Sequence, residues 1–246
     1  MKSTTASIKI RRWLAPLENT PMHPQWLVLR QRSRTIAWVN QHAFGLLLDI
    51  GCGNGKLREK LTENIEYVGI DYPETIDLGY SGMVDIYADA EALPISSEST
   101  DTVALLDVLE HLQRPERAFA EASRVLKKGG KLLIHVPFVY PLHDEPHDYQ
   151  RWSIHGLRIQ VKQLNLEIID IVESTSSFET VAALFSIALA KSVLDAITQK
   201  RFIMVVSPFI LLMIPVINTV GWLLNIIMPE SKIMPFSYRL TLTRNN

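Results

Sequence analysis

Between Pro137 and Trp152 the chain reads PFVYPLHDEPHDYQRW, which concentrates two histidines, three acids, an arginine and several aromatic rings. Imidazole titrates near neutral pH, so His143 or His147 could take a proton from an acceptor group. Tyr149 and Trp152 could form an apolar wall, and Arg151 could grip a phosphate or carboxylate. A purely structural alternative pairs Asp148 with Arg151 to fix the loop and places the aromatics in a core. Metal ligation by His143, Asp144 and His147 is a further alternative by residue type, although no cysteine set accompanies it. A second chemical segment lies upstream, Asp49-Ile50-Gly51-Cys52-Gly53-Asn54-Gly55. Its glycines permit a sharp turn and close backbone approach to a ligand. Asp71 follows about twenty residues on, where a carboxylate can accept both hydroxyls of a ribose.

Short apolar runs must position these groups. Leu46–Ile50 stops at Gly51, Tyr67–Asp71 ends on an acid, and Val84–Ala88 is a weaker third strand. Thr102–Leu106 stops at Asp107, Lys131–Val136 is a fifth strand, and Leu166–Val172 is a sixth. Helices are expected over 24–43, 56–63 and 153–164, and from Pro115 to Leu126 with Gly129-Gly130 as terminator. Strands alternating with helices imply βαβ units, a mostly parallel sheet covered on both faces, and ligands at the carboxyl ends of the strands.

Four segments taken in order are more specific than any one of them: Leu48–Gly55, Asp89-Ala90-Glu91-Ala92-Leu93-Pro94, Asp101–Leu112 and Arg124–Ile134. Over roughly residues 45–137 this series resembles the class I S-adenosylmethionine-dependent methyltransferases, specifically the type 11 methyltransferase domain family. The resemblance implies an α/β fold with a Rossmann-like doubly wound sheet and an antiparallel last strand, here Phe236–Thr243. It implies S-adenosylmethionine as cofactor. Gly51, Cys52, Gly53 and Gly55 would then form the loop at its methionine end, and Asp49 would hold its amino group, directly or through water. Asp71, followed by Tyr72, would take the ribose. Asp89 and Ala90 would meet the adenine. Asp107 would lie beside the sulfonium, unless it only caps the next turn, and His111 follows one turn later. The candidate catalytic groups are His143, His147, His111 and Tyr149. His135 reads as structural and Cys52 as a small loop residue without redox duty. The pattern His143-x-x-Pro146-x-Asp148-Tyr149-x-Arg151-Trp152 is similar to one in methyltransferases associated with bacterial envelope polysaccharide genes. Methyl transfer needs no metal in principle, and none is expected.

Phe202–Met228 contains no charged residue, and Val181–Ala190 is a second apolar stretch. Pro208, Pro215, Asn218 and Gly221 are expected to interrupt a helix there. A last strand returning to the sheet excludes an odd number of membrane crossings. The expected organisation is a basic helical arm over 1–44, a cofactor-binding domain over 45–177 plus 233–246, and an apolar helical insertion over 178–232. The insertion would dip into one leaflet or lie against it; a soluble subdomain or oligomer interface is the alternative.

The chain has 246 residues, a formal net charge of -1 and one cysteine, so no intrachain disulfide is possible and nothing global points to nucleic acid. Lys2, Lys9, Arg11, Arg12, Arg30, Arg32 and Arg34 precede the first strand and could touch anionic lipid or phosphate; a merely solvated basic face is the alternative. The first twenty residues lack the apolar run of a signal peptide, so the expected location is cytoplasmic, at the inner face of a membrane. The expected partner is a small-molecule or lipid-linked acceptor. A nicotinamide-dependent oxidoreductase is disfavoured because the glycines lack G-x-G-x-x-G spacing. A non-catalytic cofactor-binding scaffold is the remaining alternative.

Overall fold

The computed structural model describes residues 14–79, 82–164 and 166–245. The basic residues Lys2, Lys9, Arg11 and Arg12 of the expected arm lie outside them. Seven strands form: β1 Leu46–Ile50, β2 Glu66–Asp71, β3 Ile86–Tyr87, β4 Thr100–Leu106, β5 Leu126–Pro137, β6 Leu166–Glu173 and β7 Ser237–Arg244. They make one sheet of order β3-β2-β1-β4-β5-β7-β6. The first five pair in parallel, and β7 enters antiparallel between β5 and β6, as the resemblance implied. Strand order reverses between β1 and β4, which puts the natural ligand crevice beyond Ile50 and Leu106.

The helices are α1 Trp26–Leu29, α2 Gln31–His42, α3 Pro115–Val125, α4 Ile154–Lys162, α5 Ser177–Thr198 and α6 Ser207–Ile227. Phe119 and Ala122 of α3, with Leu157 and Val161 of α4, bury against Leu48, Ile50, Leu105, Ile134 and Leu240. Trp38 and Val39 of α2 cover the other face at Leu47 and Leu133. There the Trp38 indole donates to Thr241 Oγ1 over 3.1 Å. Apolar residues on both sides of β1, β4 and β5 explain why these strands read as continuous runs rather than alternating ones.

Several expected elements differ. The helix expected over 24–43 divides at Arg30, whose guanidinium lies 4.9 Å from the Trp26 ring and 5.9 Å from the Trp222 ring. The helix expected over 56–63 is only a 3-10 turn at Arg58–Lys60. Its backbone is bonded elsewhere: Asn40 Nδ2 donates to the Lys60 carbonyl and Asn40 Oδ1 accepts from the Thr62 amide. Gly129-Gly130 does not terminate α3. The pair lies inside β5, where the pairing with β4 shifts register, and Gly129 takes φ +73°.

α5 and α6 form an antiparallel hairpin whose base is closed by the Ser177 amide donating to the Ser231 carbonyl at 2.9 Å. α6 is not interrupted. Pro208 occupies its first turn, where no amide donor is needed, and the helix continues through Pro215. Asn218 is fully buried, and its Nδ2 donates to the carbonyls of Pro21 and His23 while Oδ1 accepts from Ser186 Oγ. A Cβ at Gly221 would lie 2.3 Å from the Ala182 Cβ, so this glycine is what lets the two helices cross so closely.

Candidate functional site

Three glycines in the left-handed region build the bend after β1: Gly51 at φ +76°, Gly53 at +55° and Gly55 at +66°. The Gly51 and Cys52 amides both donate to the Ile70 carbonyl, which draws the bend across the end of β2. There the buried Asp71 carboxylate accepts from the Gly53 amide at 2.6 Å and from the Tyr72 amide at 2.7 Å. A carboxylate has about four acceptor sites, so two remain for ribose hydroxyls. The Tyr72 side chain is half-exposed beside it. Asp49 is buried, accepts from the Tyr67 hydroxyl at 2.6 Å, and burial raises its pKa to about 6. Burial, with Asp49 and Asp71 nearby, pushes the Cys52 thiol up to about 12, which suits an inert loop residue. The turn after β3 is held by Asp89, whose Oδ1 accepts from the Glu91 amide, with Ala90 half-buried within it.

Asp107 closes the crevice from the β4 side. A Cβ at Gly51 would lie 2.4 Å from the Val108 side chain, so the two loops touch. Asp107 caps no helix. It takes φ +57°, donates its amide to the His135 carbonyl, and sets Oδ1 2.8 Å from His135 Nδ1. His135 Nε2 lies 2.8 Å from Ser237 Oγ, so this histidine is not merely a packing residue. The Asp107 side chain is about half exposed at the crevice mouth; its partial desolvation works to raise the carboxyl, but His135, His143 and His111 outweigh this and hold it below its ordinary value.

Residues 48–134 match the model of the methyltransferase domain family. This segment is a methyltransferase domain. The match covers β1 through most of β5, which contains the glycine bend, Asp71, Asp89 and Asp107. S-adenosylmethionine is the methyl donor that this class of domain takes. An uncharacterised methyltransferase of Mycobacterium tuberculosis is 34% identical over 102 residues, 39% of this chain and 42% of the relative. The 27-O-demethylrifamycin SV methyltransferase of Amycolatopsis mediterranei is 36% identical over 100 residues, 36% of this chain and 37% of the relative. The chain thus spans about two fifths of the length of these relatives. A methyltransferase structure from Archaeoglobus fulgidus shares the fold with a TM-score of 0.54 and 18% identity, covering 88% of this chain and 94% of that one.

Beyond the methyltransferase domain's matched segment, the 137–152 loop folds back over the turn after β4. The Tyr149 and Gln150 amides donate to the Glu110 carbonyl. His111 and His143 come together edge to face, with ring centroids 4.8 Å apart, and Tyr140 packs on His143 at 4.9 Å. Burial holds the His111 pKa below its ordinary value. His147 lies to one side, its Nδ1 3.0 Å from the Tyr149 hydroxyl. Arg151 is not free to grip an anion. It forms a two-pronged pair with Asp148 and donates to the carbonyls of Tyr140, Pro141 and Gln150. Burial alone would raise the Asp148 carboxyl, but Arg151 and the His143 amide bring it down to about 2. Trp152 is buried against Phe119, while Tyr149 is half-exposed. Because Asp148 is buried, Arg151→Met should cost about 3 kcal/mol of unfolding free energy. Urea denaturation of Arg151→Met beside Asp148→Asn/Arg151→Met checks this, with the double variant expected to recover part of the loss.

Four groups escaped the sequence reading. Glu110 is fully buried beside His111, and its only signal was an acid in an otherwise apolar turn. His135 was hidden by strand alternation. Tyr67 gives no spacing signal for its bond to Asp49. Gly82 lies where a Cβ would meet Gly53 O and Asn54 C at 2.4 Å, so only glycine lets that segment cross the bend.

Proposed function

We propose that the protein transfers a methyl group from S-adenosylmethionine to a lipid-linked, glycan or other envelope-related acceptor at a membrane surface. The observation that carries the transferase reading is the left-handed glycine bend facing the buried Asp71 carboxylate at the strand-order reversal. In this reading Gly51, Cys52, Gly53, Gly55 and Asp49 take the methionine end. Asp71 and Tyr72 take the ribose, and Asp89 with Ala90 the adenine. Asp107 borders the sulfonium, which when bound supplies an already activated methyl group. The protein's task is then alignment and exclusion of water. The acceptor would enter beside His111, His143, His147 and Tyr149.

The hairpin supports the membrane part. α5 and α6 have mean hydropathies of 1.7 and 2.1 over their most apolar stretches, and Phe209, Leu212, Val216 and Val220 are exposed on α6. At about 1.5 Å per residue either helix matches a hydrocarbon core of roughly 30 Å. Lys200 and Arg201 at the hairpin tip, and Lys191 paired with Asp195, would be costly at the bilayer centre. An orientation with α6 in the interface and these charges at the headgroups avoids that cost. The hairpin base is continuous with the acceptor side: Phe236 and Tyr140 pack with Leu27 and Ala183, and Gln25 donates to the Tyr140 hydroxyl.

Incubation of labelled S-adenosylmethionine with the protein and separated membrane and soluble fractions tests the function. Label entering a lipid or lipid-linked glycan extract supports it; label entering only soluble protein or RNA contradicts the acceptor class. The wild-type protein should also co-sediment with anionic vesicles. Leu212→Glu/Val216→Glu should abolish that while leaving the circular dichroism unchanged.

A further inference from the structure

Glu110 presents an arrangement that hydrogen bonding does not satisfy. Its side chain is completely buried, and neither carboxylate oxygen bonds another described residue. Oε1 lies 3.8 Å from His111 Nε2 and 3.8 Å from His143 Nε2. The remaining contacts set both imidazole tautomers. His111 Nδ1 lies 2.9 Å from the His147 carbonyl, which can only accept, so Nδ1 carries the hydrogen. His143 Nδ1 faces the Pro141 carbonyl at 3.3 Å and Asp148 Oδ2 at 3.2 Å, again acceptors. When each ring gives up its second proton, as metal ligation requires, both Nε2 atoms turn lone pairs toward the carboxylate. Three lone-pair donors then lie within 4.8 Å of one another, with room between them for a proton or a metal ion. Two imidazoles converging on one buried carboxylate are a ligand set that a metal ion would satisfy.

We propose that Glu110 Oε1, His111 Nε2 and His143 Nε2 together bind one divalent transition-metal ion. Two imidazole nitrogens and one carboxylate suit zinc, cobalt, manganese or ferrous iron, whereas magnesium and calcium favour all-oxygen sets. The outer contacts match those of metal-bound histidines: each ring donates its other N–H to a carbonyl or carboxylate, which fixes its orientation. Donor atoms on one such ion lie about 3–3.4 Å apart, so the three groups close by roughly 0.5–1.5 Å on binding. The His111 and His143 side chains keep about a quarter of their surface exposed, 22% and 26%. The ion therefore retains open positions on the acceptor side. Asp107 adds negative charge nearby, while Arg151 is neutralised by Asp148. An acceptor carrying vicinal hydroxyls or a phosphate could complete the coordination. That consequence alone rests on the proposed transferase function; metal binding does not.

The test is titration of the chelator-treated, dialysed 246-residue chain with zinc, cobalt and magnesium salts, following heat and, for cobalt, visible absorption. One zinc or cobalt per chain is expected, with magnesium at least 100-fold weaker and cobalt developing an imidazole-ligated visible spectrum. Glu110→Gln and His143→Ala should each weaken zinc at least 100-fold, while His155→Ala, exposed on α4, leaves it unchanged. Absence of stoichiometric zinc or cobalt binding overturns the site and leaves a proton on Glu110 as the occupant. So does equal affinity for magnesium, or zinc binding unaffected in both variants. S-adenosylhomocysteine titrated into the same samples reports the cofactor crevice separately, so failure of one reading is distinguishable from failure of the other.

Discussion

Asp71→Asn is expected to weaken S-adenosylhomocysteine binding by roughly 100- to 1000-fold, measured by isothermal titration. The carboxylate accepts from the Gly53 and Tyr72 amides, one on each oxygen, and keeps two acceptor sites for the ribose hydroxyls. Hydrogen bonds to a charged group contribute about 1.5–3 kcal/mol each, and two are at stake. Asparagine also turns an NH2 toward one of those backbone amides, donor against donor. The bend should therefore loosen by about 1–3 kcal/mol, seen as a lower denaturation midpoint without loss of cooperativity. A variant that binds as the wild type does would remove Asp71 from the cofactor site.

Asp49 predicts a pH dependence with opposite signs for stability and for binding. Its folded pKa is about 6 against 3.8 for the free side chain, because burial penalises the charge. The folded state therefore favours the protonated form. The stability this contributes is fully present below about pH 4 and is lost as the pH rises through about 6, a total of roughly 3 kcal/mol. Cofactor binding runs the other way, because an ammonium group needs the ionised carboxylate. Affinity should fall about tenfold per pH unit below pH 6, and it should weaken again at alkaline pH as the cofactor's amine deprotonates. Asp49→Asn should remove the acid limb and weaken binding at pH 7. It should also stabilise the cofactor-free protein by about 2 kcal/mol at that pH. Denaturation and titration series across pH 4–9 check both limbs.

The sheet was legible because its strands are buried on both faces. β1, β4 and β5 stand out as apolar runs ending on Gly51, Asp107 and Pro137, and those ends are where the chemistry lies. The cofactor half was legible for the same reason: the glycines and Asp71 are spaced by strand–turn–strand geometry within one stretch of chain. The acceptor half was only partly so. His111, His143 and Glu110 meet through long-range folding of the 137–152 loop, which no local period encodes. Arg151 and Trp152 have residue types that suit ligand contact, yet burial commits them to Asp148 and Phe119. In the insertion, Pro215 and Asn218 read as breakers. Tertiary partners for Asn218 at Pro21, His23 and Ser186 let the helix continue.

The crevice between the glycine bend and Asp71 is the proposed seat of an adenosyl sulfonium donor. Parallel isothermal titrations of the wild-type chain with S-adenosylhomocysteine and with NAD test it most directly. One S-adenosylhomocysteine per chain is expected, bound at least 100-fold more weakly by Asp71→Asn, with no heat from NAD. Binding of NAD alone, or of neither ligand by folded protein, would contradict it.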